Sequence, residues 1–159
     1  MSHAFRPLLL STVLAASLTG CRIATAVVPL DEPSDVAIPV ALPTELSFTP
    51  VLAQAPLRDT ARIAGVPGRV AVLGLLNQTA PCFGLSSAAT RTGDRIVIRL
   101  LAKEVSGTCN TFAAGAFDYD VGASTGAPGT YDVDVVHRIE LNTGRVVETK
   151  VGGKRVEVK

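Results

Sequence analysis

The chain has 159 residues, with 15 basic and 14 acidic side chains, a formal charge of +1, no tryptophan and three cysteines. That length fits one domain, and a domain of this size buries about two thirds of its surface. With the charges balanced and no cluster of Lys and Arg, the electrostatic footprint of a nucleic-acid binder is missing, so no nucleic-acid partner is expected.

Residues 1–20 set Arg6 ahead of an apolar run from Leu8 to Leu18 that is broken only by Ser and Thr. A membrane-spanning helix needs about 20 apolar residues. An export signal needs a run of roughly 7 to 15 followed by small residues, which fits here. Leu18-Thr19-Gly20-Cys21 resembles the lipobox of bacterial lipoproteins, a likeness confined to residues 1–21. The resemblance implies that Cys21 receives a diacylglycerol and that cleavage leaves it as the first residue. Membrane lipid, reached through the acylated Cys21, is then the first partner. Two or three acyl chains hold firmly where one binds only marginally. Ala24-Thr25-Ala26 offers a rival, ordinary cleavage after Ala26. Arg22, where Asp would signal retention, resembles the outer-membrane sorting pattern and implies an envelope lipoprotein facing the periplasm or the cell surface. Removing residues 1–20 takes away Arg6 and no acidic residue, so the remainder is neutral.

From Arg22 to Arg62 prolines recur at 29, 33, 39, 43, 50 and 56. Proline blocks helix interiors and removes ladder donors, and Pro-rich linkers are extended and semi-rigid. Residues 21–62 are expected to be a tether, with a first edge strand near Glu45 to Thr49 as the alternative for part of it. The folded domain is then expected over residues 63–159.

From Arg69 onward β-branched and aromatic runs lie between Gly, Pro, Asn and Asp. Arg69 to Gln78 is apolar on both faces and reads as a central strand. Arg95 to Lys103 puts Ile96, Ile98, Leu100 and Ala102 on one face and Arg95, Arg99 and Lys103 on the other, the period of a half-buried strand. Ala116 to Val121 groups Phe117, Tyr119 and Val121 against Asp118 and Asp120. Tyr131 to Leu141 groups Tyr131, Val133, Val135, Ile139 and Leu141 against Asp132, Asp134, Arg138 and Glu140. Arg145 to Val151 and Lys154 to Lys159 read as two strands turned at Gly152-Gly153. Phe83 to Asp94 is expected to be a loop.

Short strands at regular spacing predict an all-β fold, a single antiparallel β-sandwich with a small β-barrel as the alternative. Pro128-Gly129-Thr130-Tyr131-Asp132-Val133-Asp134-Val135 resembles the entry to a late strand in immunoglobulin-like and fibronectin type III-like domains, where a Tyr after a Pro-Gly corner bonds back to upstream backbone. The likeness covers about eight residues and implies an Ig-like architecture. The chain has no Trp, and no Cys lies two residues after Tyr131.

Cys82 and Cys109 are the two thiols left once Cys21 is acylated. In an exported domain they are expected to form a structural disulfide, worth roughly 3 to 4 kcal/mol in the chain-entropy description. Their spacing is unlike that of zinc or redox pairs.

Gly122-Ala123-Ser124-Thr125-Gly126 matches the G-x-S-x-G nucleophile elbow, which works only where a helix follows the serine. Ala127-Pro128-Gly129 follows instead, and His137 falls on the apolar face of its strand, so no hydrolase and no catalytic residue is expected. Asp118, Asp120, Asp132 and Asp134 would face one another if their strands were hairpin neighbours, a repulsion that only a cation such as Ca²⁺ would offset. If the chain crosses to the other sheet between them, the carboxylates are solvated on opposite faces, which is the expectation. No cofactor is implied. Asn77-Gln78-Thr79 fits a glycosylation sequon that a bacterial signal makes coincidental.

Three functions follow. The first is a non-catalytic, lipid-anchored envelope domain that binds or scaffolds an envelope protein or wall component. The second is a small inhibitor of a lysozyme or protease acting through a long exposed loop, with 84–93 and 122–129 as candidates. The third is a Ca²⁺-binding module built on the four aspartates.

Overall fold

A computed structural model describes residues 37–53, 55, 57–78, 82–105 and 115–159. They form nine strands: β1 (Val40–Leu42), β2 (Thr44–Leu52), β3 (Thr60–Val66), β4 (Arg69–Leu76), β5 (Phe83–Thr92), β6 (Arg95–Glu104), β7 (Gly115–Ser124), β8 (Gly129–Glu140) and β9 (Val146–Val158). They make two sheets, ordered β1-β5-β6-β8-β9 and β2-β7-β4-β3, which face each other as a sandwich and do not close into a barrel.

Alternation builds both inner faces. Ile96, Ile98, Leu100 and Ala102 of β6 are buried, and so are Tyr131, Val133 and Val135 of β8. Across from them lie Val70, Val72 and Leu76 of β4 and Phe117, Tyr119 and Val121 of β7. Only one face of β4 enters the core, and Leu73 on its other face is 53 % exposed. All pairings are antiparallel except that of β6 with β8. Those two run parallel because β7 lies between them in sequence and belongs to the opposite sheet. The crossing is a tight corner. Thr125 is buried and its Oγ1 donates to the Ala127 carbonyl (2.8 Å), while Tyr131 Oη donates to the same carbonyl at 3.0 Å.

Three expectations about chain organisation are corrected. First, the sandwich begins at Val40 rather than at residue 63, because β1 and β2 belong to the two sheets and take up part of the expected tether. The prolines fit because both strands are edges. The Pro43 carbonyl accepts from Ser124 N, so residues of odd number in β2 turn their backbone groups toward β7 and Pro50 turns its missing donor toward the free edge. Pro43 is also where the chain passes from one sheet to the other. Second, Phe83 to Thr92 is a ten-residue strand, not a loop. Its Ser and Ala residues carry little β-signal of their own. Pairing with β6 around Gly93, at φ 59°, and burial of Ala89 hold it in place. Third, Gly152-Gly153 makes no turn, because β9 runs unbroken through both glycines. The register slips between Val135 and Val136, leaving Val151 without a partner in β8, as a bulge does. Gly152 packs closely on β3, where a Cβ would lie 3.2 Å from that of Ala61, a tight contact. The turn into β9 is instead at Gly144, at φ 80°.

The two sides of the sandwich differ. On one, β3 and β9 press together: Lys154 Nζ donates to the Ile63 carbonyl (3.2 Å) and Gly68 N to the Lys159 carbonyl (2.9 Å). On the other, β2 and β5 are joined through Thr44 and Ser87, whose hydroxyls meet at 3.0 Å, and Phe48 stays 45 % exposed.

Candidate functional site

Alternation turns one polar ring into the core. His137 has the inward parity of Val135 on β8, is fully buried, and meets Tyr119 of β7 across the sandwich with Nε2 at 2.9 Å from Oη. Tyr119 Oη also donates to the Thr60 carbonyl (3.1 Å). Space for that hydroxyl comes from Gly74, where a Cβ would collide with the Thr60 carbonyl and stand 2.5 Å from Oη.

Asp59, just before β3, completes the group. Its Oδ1 accepts from the Asn77 amide (2.6 Å), and its Oδ2 lies 3.2 Å from His137 Nδ1, close enough for electrostatic attraction though not aligned as a hydrogen bond. Burial alone would raise the Asp59 carboxyl. The His137 ring and the Asn77 amide outweigh it and hold the group below the usual carboxylate range. Burial, and then the Asp59 charge, push the Tyr119 phenol well above its ordinary value. These groups tie the loop before β3 to both sheets. His137 was placed inward by parity, whereas nothing local to Asp59 marked it as its partner.

The aspartates do not converge. Asp118 and Asp120 lie on β7 and Asp132 and Asp134 on β8, in different sheets and on outward positions, so the arrangement that called for Ca²⁺ does not occur. Among the described residues no three His, Cys, Asp or Glu side chains are grouped to hold a metal ion. Asp134 instead sits between Lys150 Nζ (2.6 Å) and Arg95 Nη2 (2.7 Å), and these two hold its carboxyl below the usual range. Arg138 reaches Glu140 (2.9 Å) and Glu148 (3.0 Å) on the same outer face.

Ser124 ends β7 and leads through a short turn into β8, so no helix follows the G-x-S-x-G serine and the elbow geometry is not formed. Residues 84–93 are mostly β5, and 122–129 are the end of β7 and the tight corner, so neither is a long exposed loop. Cys82 is buried and disulfide-bonded. Its expected partner Cys109 and the lipidation residue Cys21 lie outside the described residues.

The outer face of the four-stranded sheet carries a depression of about 260 Å³. It is lined by Leu73, Gly74 and Leu75 of β4, Thr60 and Arg62 of β3, and Asp118 of β7. Arg62 is the cross-strand neighbour of Leu73, and Asp118 that of Leu75, which sets apolar side chains between opposite charges. Comparison of the chain with protein-family models, curated proteins and solved structures returns no match.

Proposed function

We propose that the chain is a bacterial envelope lipoprotein, acylated at Cys21, whose Ig-like sandwich is a non-catalytic module that binds or scaffolds an envelope protein or wall component at the outer membrane. The observation that carries the binding reading is the depression around Leu73. Leu73 and Leu75 set among the polar groups of Thr60, Arg62 and Asp118 on one sheet face give the mixed chemistry of a small recognition surface. The opposite outer face differs, because its charges are engaged with one another through Asp134 and Arg138. The aspartates serve as face residues rather than metal ligands in this reading. The inhibitor reading has lost both candidate loops.

The test is affinity capture from envelopes of the native host, with wild type and Leu73→Asp compared. The reading predicts specific partners that Leu73→Asp loses and that Val146→Ser, an exposed substitution on β9, keeps. Partners retained equally by all three forms would overturn it.

A further inference from the structure

The open side of the sandwich is apolar and nearly uncharged. Between Asp35 and Arg58 the only charged residue is Glu45, and Arg69 pairs with it at 3.1 Å. Residues 37–41, Ala-Ile-Pro-Val-Ala, are all exposed, with Ile38 at 80 % and Val40 at 51 %. Farther along the same edge Phe48 and Leu52 are also exposed, the latter at 80 %. Among the described residues, four of the seven exposed large hydrophobics thus lie on β1, β2 and the residues leading into them. An edge so poor in charge would invite pairing with another chain. Yet Pro39 and Pro43 flank β1, and Pro50 turns its missing donor outward on β2. The prolines disfavour an added strand and leave the apolar side chains themselves to be covered.

The place where the rest of the chain joins selects the occupant. It enters the domain at this same edge, and from Cys21 to Val40 it reaches no farther than about 65 Å when fully extended. We infer that the side formed by β1 and β2 rests on the bilayer surface, with Ile38, Val40, Phe48 and Leu52 entering the boundary between headgroups and acyl chains. The inference rests on the lipid-anchor reading. Apolar groups in that boundary sit about 5–10 Å deep, and the lack of unpaired charge on this edge fits that depth. The outer face around Leu73 would then stand beside the membrane and stay free for a partner.

The absence of tryptophan makes the test direct. Full-length protein carrying Phe48→Trp, Leu52→Trp or Leu73→Trp is purified from membranes of a bacterial host in its processed form. It is then reconstituted into phosphatidylethanolamine/phosphatidylglycerol vesicles containing lipids brominated near the headgroup end. Strong loss of emission at positions 48 and 52, and little at 73, is expected. Vesicle binding without quenching at 48 and 52 overturns the docking and leaves the anchor standing. So does quenching replaced by an emission shift that grows with protein concentration, which would assign this side to a second copy. Failure to sediment with vesicles removes the anchor, and the docking with it. Because Phe48 packs on Phe117, Leu52→Trp keeps the test valid should Phe48→Trp misfold.

Discussion

Gly65→Ala is expected to cost about 3 kcal/mol or more and to lower the melting temperature by roughly 10 °C. Gly65 faces inward on β3 where β9 crosses, and a Cβ there would collide with the Glu157 carbonyl. A backbone oxygen cannot step aside by changing rotamer, so relief requires the two sheets to separate along their closed side. The Lys154 bond to Ile63 and the Gly68 bond to Lys159 would then be strained as well. Gly93→Ala is the control. That residue has φ 59° with open space around it, so it loses only the left-handed conformational allowance, about 1 kcal/mol. Urea unfolding of both variants checks this. A Gly65→Ala domain as stable as wild type would mean that β3 and β9 do not meet as described.

Asp59→Ala is the second large effect, about 3 kcal/mol at neutral pH. The substitution leaves the buried His137 ring without its charged neighbour and the Asn77 amide without an acceptor. With a side chain 27 % exposed, Asp59 belongs at the low end of the range for broken buried pairs. The effect carries a pH signature. The folded carboxyl titrates below its ordinary value of 3.8. Its contribution is therefore fully present above that pH and is lost as pH falls from there through the lowered folded value. Unfolding free energies across pH 7 to 3 should show a decline in wild type that is reduced in Asp59→Asn. Parallel curves for the two proteins would remove Asp59 from the group.

The strands that could be read from the sequence are those where burial on one side and solvent on the other force alternation. Ile96 to Ala102 and Tyr131 to Val135 fall inward as their parity demands. The inward place of His137 followed from the same parity. Edges were harder. β1 is flanked by Pro39 and Pro43, β2 contains Pro50, and both are nearly unalternated because little of either is buried, while β5 is built largely from Ser, Ala and Thr that a neighbouring strand, not their own preference, keeps extended. Gly152-Gly153 reads as a turn because two glycines permit one, whereas in the strand Gly152 lies in close approach to Ala61 and Gly153 beside the Asp134 and Lys150 side chains. The polar group was half legible. Its His137 and Tyr119 came from strand parity, but Asp59 lies 78 residues from His137 and only the sheets bring them together.

Intact-mass measurement of the mature protein from a bacterial host tests the lipid-anchored domain most directly. The mass predicted is that of residues 21–159 with two or three acyl chains on Cys21. An unmodified chain beginning at Val27, recovered from the soluble fraction, would contradict it.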